Sequence, residues 1–144
     1  MCMSIYKLET IIEEAGVAYQ TSSDMQLVDL ARKGISKQSL LKLSEVAGLT
    51  LKELADLLPV SLRTIQRCSE EDLLDPSVSE HALLIAELIA DAGDIFHSSE
   101  DIKSWLKSPL IGLGGIQPVT LLDTSFGIRL VREELGRLEY GVYS

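Results

Sequence analysis

The sequence predicts an all-α chain, and three observations carry that expectation. Leu, Ile and Ala dominate a chain of 144 residues that is 46% hydrophobic but only 5% aromatic, a composition that favours helices over a β-sandwich. Apolar residues recur at spacings of three and four. Ser, Thr or Asp precedes these stretches and Gly or Pro closes them, as helix caps do. The hydrophobic fraction argues against a disordered chain. No apolar run approaches the roughly 18 residues of a membrane span. Residues 1–7 hold no hydrophobic signal core, and Cys2 and Cys68 form no metal or redox spacing, so a reduced cytoplasmic location is expected.

Along the chain, residues 5–18 read as an amphipathic helix with Tyr6, Leu8, Ile11, Ile12 and Ala15 apolar. A polar loop then leads to a helix over Met25–Lys33 capped by Asp24. Ser36 caps the next helix, Ile35 staples it, Leu40, Leu41, Leu43 and Ala47 form its apolar face, and Gly48 closes it. Thr50 and Glu53 form a capping box for a helix whose Leu54, Ala55 and Leu58 point inward. Val60 lies in a turn, and Ser61 caps a second helix with Ile65 and Cys68 inward, Cys68 acting as a small buried hydrophobe. Together these make a helix-turn-helix. Pro59 stands where many such motifs place a left-handed glycine, which proline cannot mimic, so this turn must differ.

After the linker 72–76, Leu74–Phe96 predicts the strongest helix, capped by Ser77 or Ser79. Its wide apolar stripe fits either a central core position or a second subunit. Ser98 or Ser99 caps a short helix over Ser99–Lys107, which Pro109 ends. Gly112, Gly114 and Gly115 predict positive φ or a close backbone approach, and Pro118 opens another helical turn. The last helix spans Thr124–Leu138, with Phe126, Leu130, Val131, Leu135 and Leu138 on one stripe. Gly127 inside it costs about 1 kcal/mol against alanine, which predicts tight packing on another backbone. The expected organisation is an N-terminal arm, 1–30, packed on the domain or a dimer mate; a helix-turn-helix region, 31–76; a connecting helix, 77–97; and a C-terminal domain, 98–144.

The chemistry the sequence supports is binding. The Gly112-Leu-Gly-Gly115 run lacks the following lysine of a phosphate loop and the strand context of a dinucleotide fold. His81 and His97 have no carboxylate or cysteine at ligand spacing. No catalytic residue, metal site or cofactor is expected. A net charge of −9 argues against a generic nucleic-acid binder. Yet Ala31–Cys68 holds seven basic and three acidic residues, a local +4 that leaves −13 elsewhere. Such asymmetry points to an anionic partner there and a different partner elsewhere. On the second helix of the pair, Ser61, Leu62, Arg63, Thr64, Gln66 and Arg67 face outward. Arginine can read guanine edges or phosphates, and glutamine can pair with adenine. Lys42 and Lys52 would then contact phosphates.

The spacing Trp105-Leu106, Pro109, Gly114-Gly115, Pro118, Leu121-Leu122, Thr124, Gly127, Val131, Leu135, Arg137 and Tyr140-Gly141 resembles the C-terminal toxin-binding domain of Xre/MbcA/ParS-type antitoxins. The stretch Leu-Pro-Val-Ser-Leu-Arg-Thr-Ile-Gln-Arg at 58–67 resembles the Xre-like N-terminal half of the same family. The resemblance implies a helix-turn-helix domain followed by a small helical toxin-binding domain. It further implies an antitoxin whose partners are a cognate RES-domain toxin that consumes NAD, operator DNA, and a second copy of the chain in a homodimer. Operator contacts are expected from Lys52, Ser61, Arg63, Thr64, Gln66 and Arg67. Toxin contacts are expected from Arg137, Leu138, Glu139, Tyr140, Gly141, Val142, Tyr143 and Ser144. In that arrangement the tail from Tyr140 to the Ser144 carboxylate plugs the NAD pocket, and Arg137 and Glu139 pair at its rim. The alternative is a stand-alone dimeric helix-turn-helix regulator without a toxin partner. A toxin gene beside this one discriminates the two.

Overall fold

A computed structural model describes residues 24–141. The predicted helix over 5–18, Cys2 and the tail residues Val142, Tyr143 and Ser144 lie outside them. The described residues form seven α-helices and no strand. In chain order they are α1 (Asp24–Lys33), α2 (Lys37–Ala47), α3 (Leu51–Leu57), α4 (Leu62–Arg67), α5 (Pro76–Ala92), α6 (Ser99–Leu106) and α7 (Ser125–Glu139). Two 3₁₀ turns, Ile111–Leu113 and Pro118–Leu121, fill the stretch between α6 and α7.

The caps form largely as the sequence dictates. Ser36 accepts from the Ser39 N–H, and Gly48 closes α2 in the left-handed conformation at φ 72°. Thr50 and Glu53 complete the capping box of α3. Ser98 caps α6, and Thr124, expected as the first residue of the last helix, caps α7 from outside it. Asp24 is the first residue inside α1 rather than its cap, and its charge there suits the positive end of the helix dipole.

The long helix departs from expectation. It runs Pro76–Ala92, with Asp75 at the N-cap and Pro76 in the first turn, and neither Ser77 nor Ser79 caps it. Ser79 is fully buried; its hydroxyl accepts the Ile35 N–H at 2.9 Å and donates to the Leu74 carbonyl at 3.2 Å. The residues read as a linker are ordered by pairing. Leu74 N–H donates to Ile35 O at 2.8 Å and Lys37 N–H to Asp72 O at 3.1 Å. Ile95 and Phe96 lie past the helix end at Gly93, where Phe96 packs against Trp105 with ring centroids 5.8 Å apart.

One continuous core runs through the described chain, and α5 is its axis. Leu83, Ile85, Ala86, Leu88, Ile89 and Ala92 are buried on several sides of that helix. This explains the wide apolar stripe without a second subunit: α1 and α2 pack on α5 from one side and α7 from another. Glu87 sits in the groove between α1 and α5, where burial, with Asp91 and Asp24 adding repulsion, pushes its carboxyl above the usual range.

Candidate functional site

The helix-turn-helix is assembled by Leu54, Ala55 and Leu58 of the first helix and its end packing toward Ile65 of the second, all buried. The turn solves the Pro59 problem with extended backbone. Leu58 takes φ −106° and ψ 155°, the region a residue before proline prefers, and no non-glycine residue among those described has positive φ. Ser61 then caps α4 by accepting from the Thr64 N–H at 3.1 Å, and the two hydroxyls bond each other at 2.8 Å. Both hydroxyls are therefore already engaged. Leu62 is half-buried against the core rather than outward. Cys68 is half-buried, its thiol donating to the Thr64 carbonyl.

Besides the cap residue Thr64, α4 offers to solvent Arg63, Gln66 and Arg67, one face at spacings of three and four. Neither arginine enters an ion pair among the described residues. Lys52 is exposed on α3 but paired with Asp56 at 3.3 Å. Lys37, another member of the basic block, is committed to the Cys68 carbonyl at 3.0 Å. The basic face therefore centres on the two arginines.

The C-terminal half is built around the seating of α7. Gly127 packs directly on the Pro118–Leu121 turn: a Cβ there would lie 2.7 Å from the Leu121 carbonyl carbon and closer still to its oxygen. The Leu122 carbonyl is bonded by His81 Nε2 at 2.7 Å, which ties the turn to α5 and gives His81 a structural role. Arg132 bonds Asp91 through Nε at 3.1 Å and its terminal nitrogen at 2.8 Å, fixing α7 to the end of α5. The inward face of α7 is Ile128, Val131 and Leu135. Phe126 and Leu130, expected on that face, are exposed, Phe126 to 70%, with the Arg129 guanidinium over its ring. The seat of Gly127 on the turn rotates them outward.

Between α6 and α7 the glycine-rich stretch closes into a compact loop. Leu110 bridges Ile116, the Gly115 N–H donates to Leu110 O at 2.8 Å, and Gly114 and Gly115 take φ of 72° and 81°. Gly112 lies against the carboxylate of Glu134, which is 1% exposed; a Cβ would come within 2.6 Å of its Cδ. Sequence reading found the glycines but missed Glu134, because a lone carboxylate on an amphipathic helix reads as solvated. Arg137 pairs with Glu134; three residues apart on a helix they share a face. Glu139 is exposed, Leu138 is half-buried, and Tyr140 is 81% exposed where the helix ends, followed by Gly141 at φ 66°. A further tie joins the two halves: Lys107, at the end of α6, meets Glu53 at 2.5 Å, and its ammonium holds that carboxyl down at about 2.

A helix-turn-helix joined through one long helix to a small domain that presents apolar side chains defines a two-part binding protein. Residues 26–87 match the antitoxin Xre-like helix-turn-helix domain, and residues 91–141 match the antitoxin Xre/MbcA/ParS C-terminal toxin-binding domain. The chain is 26% identical over 137 residues to the Prs ADP-ribosylating antitoxin of Sphingobium sp. (strain YBL2), covering 88% of this chain and 86% of that protein. It is 25% identical over 130 residues to antitoxin Xre of Photorhabdus laumondii (89% and 88% covered) and 28% over 120 residues to antitoxin Xre of Yersinia enterocolitica (82% and 81% covered). The chain belongs to the Xre/MbcA/ParS-type antitoxins, and it is an antitoxin of a toxin–antitoxin system that carries a toxin-binding domain.

Proposed function

We propose that this antitoxin binds a RES-domain, NAD-degrading toxin, covers its active site with the end of α7 and the tail beyond it, and represses its own operon as a homodimer through α4. The observation that carries the toxin half is the C-terminal end of α7. Tyr140 projects into solvent at the close of a toxin-binding domain, with a left-handed Gly141 after it. Tyrosine supplies a large interface anchor at small entropic cost. Arg137, Leu138 and Glu139 lead into it, and Val142, Tyr143 and Ser144 follow it in the sequence. The acidic remainder of the chain complements a site built to hold an anionic dinucleotide. The operator half rests on Arg63, Gln66 and Arg67, with Lys52, Ser61 and Thr64 beside them.

A second reading follows from one relative's name, Prs ADP-ribosylating antitoxin. It makes the partner a toxin that passes the ADP-ribose of NAD to a protein, with nicotinamide leaving, instead of releasing it free. One experiment separates the readings. The chain is co-purified with the product of the neighbouring gene, and NAD loss and ADP-ribosyl transfer are followed with and without it. The full chain is expected to form a stable complex and preserve NAD. A chain lacking residues 140–144 is expected to stay folded and lose at least 100-fold in inhibition. Full inhibition by the truncated chain refutes the plug, and NAD loss matched by ADP-ribose attached to protein, with nicotinamide released in step, favours the second reading.

A further inference from the structure

We infer that the toxin grips this chain at two joined points, the end of α7 and an apolar knob formed by Ile111 on the glycine loop; this rests on the proposed toxin partnership. Ile111 is 97% exposed. A side chain that exposed contributes no burial to folding, yet the backbone presenting it is closely specified. The Leu110–Ile116 bridge closes the loop, Leu113 and Gly115 N–H groups both donate to Leu110 O, and two glycines take left-handed φ. Gly112 seats the loop on the buried Glu134 carboxylate, which also meets Arg137 on the last turn of α7. One carboxylate thus positions both the loop and the helix end. Between them runs an open groove of about 330 Å³ lined by Trp105, Pro109, Leu110, Ile111 and Leu138.

The occupant this surface fits is the toxin, through a hollow that accepts a β-branched aliphatic side chain and a ridge that lies in the groove. Every lining residue falls inside the matched toxin-binding domain, and Leu138 belongs to the groove and to the proposed tail contact alike, so the two surfaces are continuous. An apolar anchor at the centre of an interface typically dominates its affinity, whereas rim contacts matter little.

The test is calorimetric titration of the full-length chain with the toxin encoded beside it, using wild type, Ile111→Asp and a chain lacking residues 140–144. Ile111→Asp is expected to weaken Kd by at least about 30-fold while leaving the thermal midpoint and helical content unchanged. If wild type binds and Ile111→Asp binds equally well, the knob is refuted and the antitoxin reading stands. If wild type itself does not bind, the partnership fails and this inference with it.

Discussion

Replacing Gly127 by alanine separates packing from helix propensity. In an open helix interior, alanine is more favourable than glycine by about 1 kcal/mol. At Gly127 the new methyl would overlap the Leu121 carbonyl, 2.7 Å from its carbon and 3.1 Å from the Leu121 Cβ. Carbon atoms prefer separations of about 3.5–4.0 Å, so relief at the carbonyl carbon alone requires a shift of about 1 Å, and the nearer carbonyl oxygen requires more. The obstacle is backbone, held in a 3₁₀ turn whose neighbouring carbonyl bonds His81. The helix must therefore move, lifting Ile128, Val131 and Leu135 from α5. Overpacking of this kind costs about 1–3 kcal/mol, and more where backbone is struck, which outweighs the propensity gain. We expect Gly127→Ala to be destabilising by about 2 kcal/mol, a fall in Tm of about 4–8 °C for a chain of this size. Gly136 on the same helix has no heavy atom within 4 Å of its would-be Cβ. Gly136→Ala is expected to raise Tm by about 2–4 °C. Both are read by thermal melts followed by circular dichroism. A Gly127→Ala variant as stable as wild type, or shifted upward like Gly136→Ala, would show that α7 does not sit on the 118–121 turn.

Two further outcomes are expected. Glu53, held at about 2 by Lys107, takes up protons less readily folded than unfolded. Its contribution is therefore present above about pH 4.5 and lost as pH falls toward 2. Glu53→Gln keeps the capping box but removes the charge, and because the pair is part-exposed the cost at pH 7 is about 1 kcal/mol or less. Urea melts should show that cost shrinking between pH 4.5 and 2; a cost that stays constant with pH would remove Lys107 as its source. For the operator face, Arg63→Ala and Arg67→Ala should each weaken binding to the operon's promoter fragment about tenfold. If the lost contact is to phosphate, each should also reduce the slope of log K against log salt by about 1. Anisotropy titrations across salt concentrations check this, and wild-type affinity in both variants would move DNA contact away from α4.

The caps were legible in the sequence because they are local: Ser36, Gly48, the Thr50–Glu53 box and Ser98 act within three residues of themselves. Gly127 was legible too, since a glycine retained in a helix implies something pressed against it. The face of α7 was not. Phe126 and Leu130 form a stripe with helical spacing, and Ile128, Val131 and Leu135 form another. Periodicity cannot rank two such stripes; the turn beneath Gly127 does. Ser79 was misassigned because a serine near a helix start looks like a cap, whereas its bond to Ile35 spans 44 residues. The Lys107–Glu53 tie and the role of Glu134 are long-range for the same reason. Of the residues expected to meet DNA, Arg63, Gln66 and Arg67 share one open face, Ser61 and Thr64 have their hydroxyls engaged in the cap, and Lys52 is paired. For the toxin contacts, the sequence pointed to the end of α7 and gave no signal for Ile111.

The buried length of α5 has a thermodynamic consequence. Because a single core wraps this helix from both sides, the described helices share their stabilising contacts instead of dividing them between two bodies. A partner that binds only the native form adds RT ln(1 + [L]/Kd) to the stability of whatever folds with its site. Here that includes α3 and α4. A toxin molecule seated on the C-terminal domain therefore lowers the fraction of time in which the helix-turn-helix is unfolded, with no change of shape and no signal passed between the two surfaces.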